Sequence, residues 1–322
     1  MNSGCLVAFL SVAAVAMGQS RPTVVSVGYG PFQPIVVAPG QIVTLFASSI
    51  GESIDKPVVA DTVEGTLPTS LGGISVRLLQ TDPPILLPIL EVRPVSTCPV
   101  YSFLGRDCGR ILAITAQIPM EIAEDIPASA RPPLVTQLAI SEGSIMGPLV
   151  DVRPVEAQVR ILRICDLEST RSFGGNCGVP VITHADGRLV TSTDPAAAGE
   201  SVIAFSLGLG RTDPSVPTGK RAPASLVKAR FHQMSYQFGN AGMSAGAIVT
   251  RVALEPDFVG LTPGAIGVYQ VNFRVPSVPD GTPPCSIPGR VGSGGNFIDS
   301  NLTIIFKGSL ASDIAGLCIR ID

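Results

Sequence analysis

Pro39-Gly-Gln-Ile-Val-Thr-Leu-Phe-Ala-Ser-Ser-Ile-Gly51 aligns without a gap on Ala198-Gly-Glu-Ser-Val-Ile-Ala-Phe-Ser-Leu-Gly-Leu-Gly210 of the same chain. Gly40 falls on Gly199, Phe46 on Phe205 and Gly51 on Gly210. Further on, Ile114-Thr-Ala-Gln-Ile-Pro119 answers Val271-Asn-Phe-Arg-Val-Pro276 at nearly the same offset. Two copies of one supersecondary plan are the simplest account of such self-similarity. Both runs are short, apolar and bounded by Gly or Pro, which is how a buried strand reads.

Working outward from these runs, the remaining segments follow the same pattern. Gly73-Ile-Ser-Val-Arg-Leu-Leu79, Leu134-Val-Thr-Gln-Leu-Ala-Ile140 and Asn301-Leu-Thr-Ile-Ile-Phe306 are strand-like, and Val268-Tyr-Gln-Val-Asn-Phe-Arg-Val275 alternates almost ideally before Pro276 ends it. Only Pro119-Met-Glu-Ile-Ala-Glu-Asp-Ile126 hints at a helix. With Gly 34 and Pro 29 scattered through 322 residues, helices are interrupted repeatedly and turns are plentiful. The expectation is an all-β protein of two tandem immunoglobulin-like antiparallel β-sandwich domains, residues 19–164 and 179–322.

Composition narrows the functional classes. Hydrophobic residues make up 45% and charged residues 15%, so the chain has ample core and is not disordered. A net charge of -3 and no basic cluster give no basis for nucleic-acid binding. Cys5 to Met17 is an unbroken run of apolar and small residues, and Ala16-Met17-Gly18 is a small-x-small cleavage pattern. Residues 1–18 therefore read as a secretory signal, although no Lys or Arg precedes the run. The run falls short of the roughly 20 residues a spanning helix needs. A secreted, periplasmic or cell-envelope location follows, with no membrane span after the signal is removed.

Of the seven cysteines, Cys5 would leave with the signal. The other six fall as neighbours: Cys98 with Cys108, Cys165 with Cys177, and Cys285 with Cys318. None has the spacing of a zinc ribbon or redox motif, and an oxidising compartment favours three local disulfides. The connectivity is an inference, because spacing alone permits many alternatives. Cys165 and Cys177 would close a polar linker over residues 165–178.

Ala38-Pro-Gly-Gln-Ile-Val-Thr-Leu-Phe-Ala-Ser-Ser-Ile-Gly51 and Leu67-Pro-Thr-Ser-Leu-Gly-Gly-Ile-Ser-Val76 resemble a repeated secreted domain abundant in acidobacteria, the Solibacter-type C-terminal domain family. In the second copy the resemblance runs through His184-Ala-Asp-Gly-Arg-Leu-Val-Thr191, Gly208-Leu-Gly210, Val216-Pro-Thr-Gly219, Ala222-Pro-Ala224, Phe258-Val-Gly-Leu-Thr-Pro-Gly264 and Gly267-Val-Tyr-Gln-Val-Asn272. The first copy is weaker, carrying Leu112-Ala-Ile-Thr-Ala-Gln117 in place of the last motif and adding the Cys98 to Cys108 loop. The resemblance implies export and a β-sandwich. It implies no activity and carries over no site residue.

The residues that could carry chemistry are few. The two histidines are His184 and His232. Asp186-Gly187 is a hairpin signal, since Gly accepts the positive φ such turns require, so His184 and Asp186 read as a turn with Thr183-His-Ala and Arg-Leu-Val-Thr as its arms. His232 lies in Arg230-Phe-His-Gln-Met-Ser-Tyr-Gln-Phe238, where alternation puts Gln233, Ser235 and Gln237 on one face and His232, Met234, Tyr236 and Phe238 on the other. Glu121, Glu124 and Asp125 read as a solvated acidic run, whereas glycosidase chemistry needs carboxylates facing across a cleft. Asp194-Pro195 and Asp213-Pro214 read as turn openers.

Gly289-Arg-Val-Gly-Ser-Gly-Gly-Asn296 lacks the Lys-Ser/Thr ending of a phosphate loop. Asn301-Leu-Thr303 fits the N-glycosylation pattern. Calcium in an acidic sandwich loop remains open. Trp is absent, and Tyr29, Tyr101, Tyr236 and Tyr269 are dispersed, with Tyr269 read as core, so an aromatic sugar platform is not evident.

The reading that results is an exported, non-enzymatic structural, adhesive or interaction protein with no catalytic, cofactor or metal residues assigned. Its partner is an unidentified protein or polysaccharide. A secreted glycan-binding module, or a hydrolase using scattered Asp and Glu, is the alternative.

Overall fold

The computed structural model describes residues 23–28, 36–62, 65–96, 110–124, 136–167, 179–230, 233–238, 251–282, 284–285, 300–309 and 312–321. The 1–18 segment, Cys98, Cys108, Cys177, the Cys165 side chain, Asp125, His232, Tyr29, Tyr101 and the Gly289–Asn296 run lie outside the described residues.

The first half supplies β1 (Thr23–Gly28), β2 (Val36–Val37), β3 (Ile42–Ser48), β4 (Val58–Val59), β5 (Ser70–Leu71), β6 (Ile74–Leu79), β7 (Ile85–Leu86), β8 (Ile89–Ser96), β9 (Arg110–Gln117), β10 (Thr136–Glu142), β11 (Ile145–Met146) and β12 (Val150–Pro154). They form one sheet in the order β1-β3-β9-β8-β4 and a second in the order β2-β12-β10-β6-β5, with β11 and β7 attached at its side. The second half supplies β13 (Arg160–Ile161), a one-turn helix α1 (Ile164–Leu167), β14 (Ile182–His184), β15 (Ser201–Leu207), β16 (Thr212–Asp213), β17 (Val227–Ala229), β18 (Gln233–Phe238), β19 (Val252–Ala253), β20 (Phe258–Leu261), β21 (Tyr269–Arg274), β22 (Leu302–Lys307) and β23 (Ser312–Leu317). Its sheets run β13-β15-β21-β20-β17-β16, with β14 beside β15, and β19-β18-β22-β23. The fold is all-β, and almost every pairing is antiparallel.

Each half encloses a core between its two sheets. Strands with one dry face alternate as the pleat demands: β6 buries Ile74, Val76 and Leu78, and β21 buries Tyr269, Val271 and Phe273. In the first half these residues meet Leu45, Val92, Leu112, Ile114, Leu138 and Ile140 from both layers. Each such side chain contributes about 1.5–3 kcal/mol on leaving water.

The repeat seen in sequence is a repeat of register. Ile42 pairs with Gln117 and Ala47 with Leu112, and the aligned residues Ser201 and Ser206 pair with Arg274 and Tyr269, each the equivalent of its first-half partner. The turns leading in also match. Gly40 N–H donates to Ile118 O at 3.1 Å and Gly199 N–H to Val275 O at 2.9 Å. Gly40 and Gly199 sit at φ 71° and 76°, left-handed backbone where a side chain would be strained. One position on, Gln41 Oε1 accepts the Ala38 N–H at 2.7 Å and Glu200 Oε2 accepts the Ala197 N–H at 2.8 Å.

Two details differ from the sequence expectations. Pro119 to Glu124 forms no helix: a turn closes from Ile122 N–H to Pro119 O, and Met120 and Ile122 are buried as plugs. The interior claims the apolar residues of that segment, which outweighs its weak helical pattern. The hand-over between halves also comes before residue 164, because β13 is already hydrogen-bonded to β15 of the second half.

The halves are joined through a packed, hydrogen-bonded seam. Buried Gln117 donates from Nε2 to Gly40 O at 3.3 Å and accepts the Gly219 N–H on Oε1 at 2.7 Å. Leu67 N–H donates to Gly219 O at 2.9 Å. Ile42, Leu162 and Leu207 form a shared apolar cluster, and Met120 from the first half enters the core of the second. Cys285 and Cys318 are joined by a disulfide with a Cα–Cα distance of 5.5 Å.

Candidate functional site

Two places merit chemical scrutiny: the charged group around His184 and a groove on the outer face of the β19-β18-β22-β23 sheet.

His184 ends β14, and the chain reverses immediately after it. Gly187 N–H donates to His184 O at 3.0 Å, His184 N–H donates to Arg188 O at 2.9 Å, and Thr183 bridges Leu189. The turn is a three-residue loop, Ala185-Asp186-Gly187, with the positive φ confined to Gly187 at 89°. This is the hairpin that Asp186-Gly187 announces, longer by one residue because only one left-handed position is available. Asp186 Oδ1 accepts the Arg188 N–H at 3.0 Å and its Oδ2 accepts Arg188 Nε at 2.8 Å.

The His184 side chain points inward and is 7% exposed. Its Nδ1 lies 2.5 Å from Glu200 Oε1, and its Nε2 lies 3.3 Å from the Asp194 carbonyl oxygen. Both partners are acceptors, so the arrangement is fully satisfied when both ring nitrogens carry protons. Burial pulls the imidazole pKa down, but the Glu200 hydrogen bond, the Asp194 carbonyl and the two carboxylate charges outweigh it, and the net shift is upward. Burial pushes the Glu200 carboxyl up, yet the Ala197 N–H, His184 and Arg320 hold it below its ordinary value. At the surface, hydrogen bonds from Arg188 hold Asp186 below the usual carboxylate range. Arg188 also reaches the Asp194 carboxylate.

A general base needs a nitrogen lone pair within reach of a substrate proton. Here both nitrogens face protein acceptors, so the imidazole functions as a tie between the hairpin and the turn at Ala197–Glu200. Exposed pairs such as Arg188–Asp186 are screened by water and contribute little, whereas the sheltered His184–Glu200 bond belongs to the stronger charge-assisted class.

Several other charged residues are also engaged in structure. Arg163 makes a bidentate bond to Asp313, at 3.0 and 2.9 Å, and donates to Ile161 O and Ile314 O. Glu121 accepts from Thr218 Oγ1 at 2.5 Å and Glu124 pairs with Arg211 at 2.9 Å, so these two surface carboxylates also reach the other half. Asn301 is 1% exposed and its amide is fully engaged with the Ile319 backbone, both bonds at 2.8 Å. In the folded chain this amide is inaccessible to a glycosylating enzyme. Tyr269 is fully buried, donates to Gly210 O at 2.5 Å, and has its pKa raised by burial. Among the described residues no three His, Cys, Asp or Glu side chains converge to hold a metal ion.

The groove has a volume of about 380 Å³ and is lined by Gln233, Ser235, Arg251, Ile305, Lys307 and Ser312, with Ala253 at its edge. Its polar wall comes from the alternation read in Arg230–Phe238: Met234 is buried and Tyr236 and Phe238 pack toward the core, leaving Gln233 and Ser235 outside. Tyr236 and Phe238 meet edge to face at 5.7 Å. Sequence reasoning singled out neither Arg251 nor Lys307, since each is an isolated cation in its own segment and only the strand pairing brings them to one face.

No helix among the described residues is long and apolar enough to cross a membrane. No protein-family model matches the chain, and no curated protein is detectably similar to it.

Proposed function

We propose that the chain is an exported structural or interaction protein of the cell envelope or extracellular space, in which two immunoglobulin-like sandwiches act as one unit without catalysis. The observation that carries this reading is the state of His184. It is the best acid–base candidate in the described chain, and both its nitrogens are spent on holding a hairpin to the core. The seam at Gln117, Gly219 and Met120 supports the joint action of the halves. The Cys285–Cys318 disulfide, the apolar segment before Gln19 and the resemblance to acidobacterial secreted domains support export.

One experiment addresses both parts. The full chain, expressed with its own leader, is recovered by fractionation, sequenced from its N-terminus and assayed on ester, peptide and glycoside substrates beside a His184→Gln variant. The expected result is an extracytoplasmic protein beginning near Gln19, with no free thiols and no turnover from either form. Cytoplasmic recovery with reduced cysteines would refute export. Turnover lost in a folded His184→Gln protein would refute the non-catalytic reading.

A further inference from the structure

The groove face is organised by register. Gln233 pairs with Lys307 and Lys307 with Ser312, which sets those three side chains in one row across β18, β22 and β23. The next row on that face is Ala253, Ser235, Ile305 and Ile314. A further step along β18 brings Gln237 opposite Thr303, with Arg251 just before β19 at the same end. The face therefore carries a cation toward each end of one diagonal; Ile314 on β23 is exposed, whereas Ile305 between them is 3% exposed and offers no open apolar surface. From strand rise and strand spacing, the Cα atoms of Arg251 and Lys307 stand about 16 Å apart on the diagonal.

None of the residues lining the groove is acidic. Arg251 and Lys307 are exposed and have no carboxylate partner among the described residues, although the chain as a whole is net negative. In sequence, residues 239–250 and 310–311 contain no Asp or Glu. The corresponding face of the first half differs: there Gln137 donates to Asp151 at 2.8 Å, placing a carboxylate where the groove has none.

We propose that this face binds an acidic polysaccharide, with Arg251 and Lys307 each taking a carboxylate and Gln233, Ser235 and Ser312 bonding hydroxyls between them. A diagonal of this length holds a run of several sugar residues. Two separated cations select a polymer with repeated charge over a single small anion, and amides and hydroxyls between them suit a hydroxylated ligand. The inference rests on the interaction-protein reading and specifies the partner.

The test is affinity electrophoresis of the full chain through gels containing polygalacturonate or, separately, neutral dextran. Wild-type protein is expected to be retarded by the polyuronate, less so as salt is added, and not by dextran. Arg251→Gln or Lys307→Gln should each weaken apparent binding by about tenfold, the scale of one charge-assisted contact, and the double variant should weaken it further. Lys56→Gln, at an exposed site in the first half, should leave it unchanged. Unchanged melting of the variants shows that the fold is intact.

Wild-type retardation by the double variant, equal retardation by dextran, or equal retardation by inorganic polyphosphate would overturn the assignment. So would the absence of any retardation of an exported, catalytically silent protein, an outcome that leaves the interaction-protein reading standing. Depolymerisation of the polyuronate in the gel would instead overturn that parent reading.

Discussion

The two copies of the entry turn contain their own control experiment. Gln41 and Glu200 occupy equivalent positions and make the same bond to a backbone N–H three residues earlier, but only Glu200 also holds a histidine. Glu200→Gln therefore keeps the turn and removes the charge opposite His184. A charge-assisted bond contributes roughly 1.5–3 kcal/mol and a neutral one roughly 0.5–1.5, so the substitution should cost about 1 kcal/mol where His184 is charged.

The sign of the pH dependence follows from the two shifts. His184 has its pKa raised in the fold, so its contribution is complete below the ordinary histidine value of 6.5 and fades as pH rises through the folded value. Glu200 has its pKa lowered, so its contribution is complete above 4.5 and fades as pH falls through the folded value. The pair is thus at full strength between these two ordinary values.

Urea unfolding followed by far-ultraviolet circular dichroism suits a chain without Trp. Wild type should exceed Glu200→Gln near pH 5.5, and the gap should close at alkaline pH. Glu200→Ala, which also frees the Ala197 N–H, should cost more at every pH. With two histidines in the chain, proton NMR can follow His184 directly, above its ordinary value in wild type and lower in Glu200→Gln. A His184 that titrates at or below its ordinary value, or a stability gap independent of pH, would refute the reasoning.

Three further outcomes are expected. Gly40→Ala and Gly199→Ala share the backbone strain of about 1–2 kcal/mol, but a Cβ at Gly40 would lie 2.3 Å from Met120 Cε whereas none lies within 4 Å at Gly199. Calorimetry should therefore find the first more destabilising, and equal costs would argue against the seam as described. Gln117→Ala leaves the buried Gly219 N–H without its acceptor and should cost about 1–3 kcal/mol, splitting one thermal transition into two if the seam couples the halves. Cys318→Ser opens a loop of sequence separation 33 and should lower stability by about 3–4 kcal/mol in non-reducing buffer, a difference that disappears when wild type is reduced.

What could be foreseen from sequence was local or periodic. Phe46 and Phe205 marked β3 and β15 because an apolar run between glycines permits little else, and Asp186-Gly187 marked its turn through backbone stereochemistry. The partner of His184 was not foreseen. Glu200 stands sixteen residues away and drew no separate reading, though its alignment with Gln41 after a shared glycine was a usable signal. Gln117 was visible inside a repeated motif, but its task is defined by Gly219, 102 residues later, and no periodicity reports that distance. The acidic run at Glu121 and Glu124 lies at the surface as read, but its partners Thr218 and Arg211 come from the other half and were not foreseen for the same reason.

The matched register of β3 with β9 and β15 with β21 has a consequence during synthesis. A growing chain that repeats a strand pair offers each strand two geometrically acceptable neighbours, and tandem repeats are prone to such exchange. Here side-chain volume tells them apart. Val43 faces Ala116 and Val202 faces Phe273. Crossing the partners would drive Phe273 into space shaped for a methyl group in one half and leave a void in the other. Overpacking costs on the order of 1–3 kcal/mol and a void of this size about 3–5 kcal/mol, a combined penalty that favours keeping β3 with β9 as the second copy leaves the ribosome.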